Sequence, residues 1–229
     1  MEEMGVIPLL AERASVEDRV TETLRQLIVS GRLPEGTPLV HRELAQRLGV
    51  SPTPVRISLT QLEREGLVDV GPTGRAAVTR LSREDFEEIY AARAGLEGLA
   101  ARVGATALSE ADIVSMRRLL TALRALARER DVDAYLARRW EFYATCYRAS
   151  GRKRLVDEVE RLFRRSERYN RLVLSTAERF RESVARYGTF LRACEARDAD
   201  AAEHAVQESI RWAVDRLGPL LPSESEAAG

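Results

Sequence analysis

A short stretch of this chain, Arg42-Glu43-Leu44-Ala45-Gln46-Arg47-Leu48-Gly49-Val50-Ser51-Pro52-Thr53-Pro54-Val55-Arg56, gathers hydroxyl and guanidinium side chains around one glycine and two prolines. Arginine can grip a phosphate or pair bidentately with guanine, whereas serine and threonine fix position along a nucleic-acid backbone. The spacing says how these groups are held. Leu44, Ala45 and Leu48 share one face of a helix that ends at Gly49, a natural C-terminal stop. Ser51 is placed to cap a second helix, and Pro52 suits its first turn, where no backbone donor is needed. Two helices joined by so short a turn form a helix-turn-helix. Ser51, Thr53 and Arg56 then stand at the leading end of a recognition helix, which implies sequence-specific binding of double-stranded DNA.

No comparable set of residues points to catalysis. The histidines, His41 and His204, are isolated, and no nucleophile–base pair or metal motif is present. Gly71-Pro72-Thr73-Gly74 lies between short alternating segments rather than before a helix, so it is no phosphate-binding loop. The 36 basic and 36 acidic residues cancel, which argues mildly against a coat-type DNA binder living on a global basic field and not against a regulator with a local patch. Lys153 is the lone lysine, so arginine carries nearly all the positive charge. Cys146 and Cys194 make no CxxC pattern and are expected as reduced core thiols. With no signal peptide and no apolar run long enough for a span, a soluble, cytoplasmic protein is expected, with no membrane partner.

The chain of 229 residues is ample for more than one core. Residues 1–14 show no period and are expected as a flexible arm. Val16, Val20, Leu24, Leu27 and Ile28 predict a helix stopped by Gly31. Leu33 to Leu39 reads as a turn with extended flanks, and the helix-turn-helix follows. Val68-Asp69-Val70 and Ala77-Val78-Thr79 alternate as two strands around Gly71-Pro72-Thr73-Gly74-Arg75. A hairpin directly after a recognition helix is a wing, so residues 15–80 are expected as a winged helix-turn-helix domain. Beyond Leu81 every segment has helical pattern. Ser82 with Asp85 predicts a capping box, Ser109 opens a second helix, and Asp133–Ser150 forms a third. Further helices are expected near 152–174, 176–196 and 198–217. Residues 81–220 thus predict an all-α bundle of about six helices, and 221–229 a disordered tail. The fold class is mainly α.

The string LAxxLGVSxTPVR, with Gly36-Thr37-Pro38-Leu39 before it and Leu62-Glu63-x-Glu65-Gly66-Leu67 after it, closely resembles the GntR winged-helix regulators. The segment from Leu81-Ser82 through Asp85-Phe86, Ile89-Tyr90, Arg93 and Leu96-Glu97 resembles the FadR-type branch with its FCD ligand-sensing domain, and six helices point to the VanR-like subgroup. The resemblance implies a homodimer that binds a palindromic operator, most simply as a repressor, and changes DNA affinity when a metabolite binds. It places DNA contacts on Arg42, Ser51, Thr53 and Arg56, and on Gly74 with Arg75 in the wing. Arg47 and Arg64 are read as solvated. The family usually has arginine where this chain has Pro52, which puts operator preference in question. Ile57 and Ser58 stand in place of the usual Glu-Ala pair and are read as packing.

Many FCD domains hold a divalent metal with one Asp and three His. Two histidines cannot supply that set, and the resemblance maps its positions onto Arg139, Tyr143, Tyr187 and Ser209. No metal or other cofactor is therefore expected. A guanidinium in that place can hold an effector carboxylate directly. The expected effector site is Arg139 with Tyr143, Tyr187 and Ser209, joined by Arg93 from the first helix of the bundle. For Arg139 the alternative is pairing with Glu97 or another acid, and for Arg93 a salt bridge to Glu97 one turn on. Trp140, Tyr147, Trp212 and Tyr90 are read as core.

Overall fold

Val20, Leu24 and Ile28 recur at helical spacing, and all three are buried along α1 (Val16–Val29). The computed structural model describes residues 15–174 and 177–223. They fall into two units, one of residues 15–28 and 32–78, the other of residues 29–31 with everything from Thr79 onward. The arm expected over 1–14 lies outside the described residues.

In the first unit, α2 (His41–Leu48) ends at Gly49, whose φ of +66° lets Val50 N–H reach back to the Ala45 carbonyl at 3.1 Å. The second helix of the motif, α3 (Pro52–Arg64), starts directly after Ser51. Ser51 holds the extended N-cap conformation, but its hydroxyl makes no cap bond, contrary to expectation. The reason lies in the prolines: Pro54 sits three residues on, where a capped helix offers an N–H, and proline has none. Ser58 is fully buried and donates to the Glu17 carbonyl at 3.1 Å, while Arg25 pairs with Glu65 at 2.7 Å, so α1 is tied to α3 at two points.

The wing comprises β1 (Val68–Val70) and β2 (Ala76–Val78), antiparallel with Val68 opposite Val78. The second strand lies one residue earlier than the expected 77–79. That register turns Val68, Ala76 and Val78 inward together. The outer edge of β2 is covered by the 36–39 segment, with Leu39 N–H on Ala76 and Gly36 N–H on Val78, each at 2.8 Å.

The second unit is helical: α4 (Arg83–Ala107), α5 (Glu110–Glu129), α6 (Val132–Ala149), α7 (Lys153–Arg165), α8 (Glu167–Val173), α9 (Ala177–Glu195) and α10 (Ala199–Leu217). The long α4 runs along α10 and also packs on α6 and α7, while α5 packs on α6 and α9. The described residues of this unit thus hold seven α-helices where six were expected. The single helix predicted over 152–174 is interrupted at Ser166, whose hydroxyl donates to the Phe163 carbonyl at 2.7 Å and accepts from the Asn170 amide at 3.1 Å. Such local side-chain bonding competes with a continuous helix.

The capping box expected at Ser82 is half formed. Its hydroxyl accepts from Asp85 N–H, but the Asp85 carboxylate is taken by Tyr169 at 2.9 Å and Arg165 at 2.8 Å. The reciprocal box forms instead at Ser109 and Asp112. The tail also departs from expectation at its start. Leu221 is buried, the Arg83 side chain bonds its carbonyl, and Arg83 N–H bonds that of Pro222. Residues 224–229 lie outside the described part. None of the described helices is long and apolar enough to cross a membrane.

The tightest helix crossing is at Gly104 of α4. A Cβ there would stand 2.0 Å from the Cys146 carbonyl oxygen of α6, a backbone atom that cannot step aside. Beneath it the free thiols of Cys146 and Cys194 are buried, with their sulfurs 3.9 Å apart. Gly104→Ala is expected to destabilise the bundle by about 3 kcal/mol or more, because overpacking here moves backbone. Gly95→Ala, on the same helix with nothing within 4 Å of the added carbon, serves as the control. It should be neutral or stabilising by about 0.5–1 kcal/mol. Thermal unfolding of both variants checks the pair.

Candidate functional site

Two groups of side chains in separate units carry the predicted chemistry. In the first, α3 buries Pro54, Val55, Ser58, Leu59 and Leu62 and leaves Thr53, Arg56, Ile57, Thr60, Gln61 and Arg64 facing outward. Ser51 is exposed at the start of that face, and Arg42 is exposed in the first turn of α2. At the wing tip Gly74 has φ +72° and donates to the Gly71 carbonyl at 2.9 Å, holding Arg75 out in solvent. Only glycine adopts this backbone without cost, and nothing lies within 4 Å of its missing Cβ. Among the described residues Arg42, Arg56 and Arg75 enter no salt bridge, in contrast with the neutralised Arg25. Arg42 and Arg56 form no intrahelical ion pair among the described residues and stand on exposed helix faces. An arginine held out unpaired is available to a phosphate or a base.

One expectation on this helix is corrected. Ser58 is packing, as read, but Ile57 is not: it is 46% exposed on the outward face. Burial followed the helical period and not the adjacency of the two residues in sequence.

In the second unit α4, α6, α7, α9 and α10 converge on a buried polar cluster. Arg93 is wholly buried and donates through Nε to Glu97 Oε1 at 2.6 Å; the other carboxylate oxygen accepts from Tyr147 at 2.8 Å. Arg139 therefore finds Glu97 already engaged and has no salt-bridge partner among the described residues. The two guanidiniums nevertheless meet, since both rest on the ring of Phe163, Arg93 at 5.1 Å and Arg139 at 4.6 Å from its centroid. Tyr90 lies under Arg93 at 4.7 Å and Tyr143 under Arg139 at 5.7 Å. Tyr143 reaches Ser209 at 3.4 Å, and a relay runs from Tyr135 through Ser183 (3.1 Å) to Tyr187 (2.7 Å).

The electrostatics follow from burial. Desolvation pushes the phenols of Tyr90, Tyr143 and Tyr147 above their ordinary range, so they stay neutral donors. Burial presses Arg139 toward its neutral form, but its shift is upward on balance, and a guanidinium keeps its charge throughout the physiological range. Two cations thus face one carboxylate. Three guanidinium nitrogens, Arg93 Nη1 and Nη2 and Arg139 Nη1, are buried without a hydrogen-bond partner among the described residues. Unmade bonds to buried charged groups are expensive.

The structure brings Arg93, Arg139, Tyr143, Tyr187 and Ser209 into one neighbourhood, and adds members that sequence reasoning missed or took for core. Glu97 was seen only as an ion-pair partner for Arg93 or Arg139, Tyr90 and Tyr147 only as packing, and Phe163, Tyr135 and Ser183 not at all. Ser183 carried a usable signal, since it lies one turn before Tyr187 on a face that is otherwise apolar. Trp140 and Trp212 are only partly buried, and Trp212 donates to Glu182 at 2.8 Å.

The metal common in FCD domains does not fit these residues. Arg139 places a positive charge at the mapped position, and no group of three His, Cys, Asp or Glu suited to a metal occurs among the described residues.

Comparison with known proteins accords with both halves. The bacterial regulatory proteins of the gntR family match residues 16–85, and the FCD domain matches residues 88–211. The HTH-type transcriptional regulator McbR of Escherichia coli (strain K12) is 26% identical over 203 residues, covering 87% of this chain and 91% of McbR. A probable D-xylose utilization operon transcriptional repressor of Paenarthrobacter nicotinovorans is 27% identical over 199 residues, covering 86% and 87%. The solved structure of E. coli McbR/YncC superposes with a TM-score of 0.77 at 24% identity, covering 89% of this chain and 97% of that one, which shows a shared fold. Nothing in these matches singles out the VanR-like subgroup, and the helix count that pointed to it is seven. The FCD match alone spans more than half of the sequence, and the chain belongs to the gntR family of bacterial regulatory proteins with an FCD domain, the DNA-binding transcriptional regulators.

Proposed function

We propose that this regulator is a homodimeric repressor that binds a palindromic operator in the cytoplasm and responds to a small organic acid held, without metal, inside its helical unit. The observation that carries the effector half is the set of three partnerless guanidinium nitrogens buried around Phe163. A carboxylate there would accept from Arg139 and Arg93 together, with Tyr143, Tyr187 and Ser209 as neutral neighbours. Two cations and one anion leave a single positive charge, so a monoanion balances the site and a dianion overshoots it. The repressor assignment draws on the Paenarthrobacter relative, whose name describes a repressor. Dimerisation and a palindrome follow from how helix-turn-helix proteins match two-fold DNA sites.

Thermal shift of the whole chain against monocarboxylates and dicarboxylates, with and without chelator, tests the effector. A monocarboxylate should raise Tm regardless of chelator, since a ligand that binds only the folded state stabilises it. If no acid shifts Tm, or the shift vanishes with chelator, the metal-free carboxylate site is wrong. Two variants sharpen the test. Arg139→Met removes an unpaired buried charge, so the ligand-free protein should keep or gain stability, by up to about 2 kcal/mol, while losing the ligand response. Arg93→Met strands Glu97 and should cost about 3–5 kcal/mol.

On the DNA side, Arg56→Ala is expected to weaken binding to a selected operator by about 1–3 kcal/mol, tenfold or more, with Tm unchanged. Footprinting checks the loss, and sedimentation of the free and DNA-bound protein checks the dimer. A monomer that protects an asymmetric site would overturn the proposed assembly.

A further inference from the structure

We propose that Ile57 reads the 5-methyl group of a thymine in the operator, and so sets sequence preference at a position that the arginines do not read. It is 46% exposed on the recognition helix. At ~100° per residue, Thr53, Ile57, Thr60 and Arg64 fall within an arc of about 60°, centred opposite the buried Val55, Leu59 and Leu62. Thr60 bounds this arc on one side and Ile57 on the other, with Thr53 and Arg64 between them, so Ile57 belongs to the face that a helix-turn-helix presents to the major groove.

Ile57 is the apolar member of its surroundings. Ile57 lines a surface hollow of about 330 Å³ with Arg56, Thr60, Gln61 and Arg64, none of them acidic. Thr60 donates its hydroxyl proton to the Arg56 carbonyl at 3.1 Å, which takes that donor out of competition for a base. What Ile57 contributes to this side of the face is hydrocarbon flanked by the cations Arg56 and Arg64. The major-groove edges of the bases are hydrogen-bonding groups throughout, with one apolar exception, the thymine methyl. A β-branched side chain on a helix is held almost entirely in one χ1 rotamer, so Ile57 presents its methyls at a defined place. The flanking arginines bring the phosphates and bases close, and contact between Ile57 and the methyl removes both from water.

The experiment uses the full-length protein and an operator selected from random duplexes. Each thymine is replaced in turn by uracil, which deletes only the methyl, and affinity is measured for wild type and Ile57→Ala. Wild type should lose about fourfold at one thymine position, the equivalent of ~0.8 kcal/mol for one methyl-sized group withdrawn from water. Ile57→Ala should bind the thymine and uracil forms of that position equally, with its Tm unchanged because the side chain is exposed. Ile57→Val should retain part of the discrimination. The proposal is overturned if no uracil substitution weakens wild-type binding, or if the penalty is as large in Ile57→Ala as in wild type.

Discussion

The Arg93–Glu97 ion pair is the constraint around which the helical unit is arranged. Both side chains are buried, so the pair must hold its charges without water. Glu97 is satisfied at both oxygens, by Arg93 and Tyr147. Arg93 is not, since only its Nε is bonded. Adding Arg139 against the same aromatic ring leaves the carboxylate outnumbered. A bundle selected for stability alone would gain from an apolar residue at position 139, since a buried charge without a partner costs more than a well-packed hydrophobe. The aromatic rings of Tyr90, Tyr143 and Phe163 offset part of that cost through their faces. The cluster thus holds two buried cations whose hydrogen-bond donors are only partly used.

How legible this was in the sequence depended on the range of the determining interactions. The helix-turn-helix is written locally: Gly49 ends one helix, Pro52 starts the next, and the apolar period gives the buried face. The same local rules failed where a second local group intervened. Pro54 removed the donor that Ser51 was expected to cap, and Ser166 broke a helix whose apolar pattern runs straight through it. Strand β2 was displaced by one residue because its register is set by the burial of Val68 and Val78 across the hairpin, a relation that alternation along one strand does not contain.

The buried polar cluster shows the opposite case. The residues Arg139, Tyr143, Tyr187 and Ser209 came from a resemblance, and spacing alone would not have joined them, because α6, α9 and α10 meet only in the folded unit. Phe163, which places Arg93 and Arg139 against one ring, lies on α7 and has nothing unusual in its sequence context. Ile57 failed for a different reason. It was grouped with its neighbour Ser58, although one step along a helix is enough to pass from a buried face to an open one. In these cases the missing information was which face of an element another element covers.

The same side-chain type serves both units, and its environment decides what it does. On α3 an arginine is fully hydrated until DNA arrives, so its charge costs nothing in the free protein and its contacts are realised only in the complex. In the bundle Arg139 pays desolvation whether or not an anion is present, so part of the interaction energy with a ligand repays a cost already incurred on folding. The buried phenols stay neutral because desolvation holds their protons on, which leaves the proposed acceptor surrounded by donors of fixed protonation. Titration of the pocket itself would then contribute little near neutral pH, and the ionisation of the organic acid would govern when it binds. A sensor of this kind discriminates by the charge and shape of its ligand, with no metal whose occupancy must first be met.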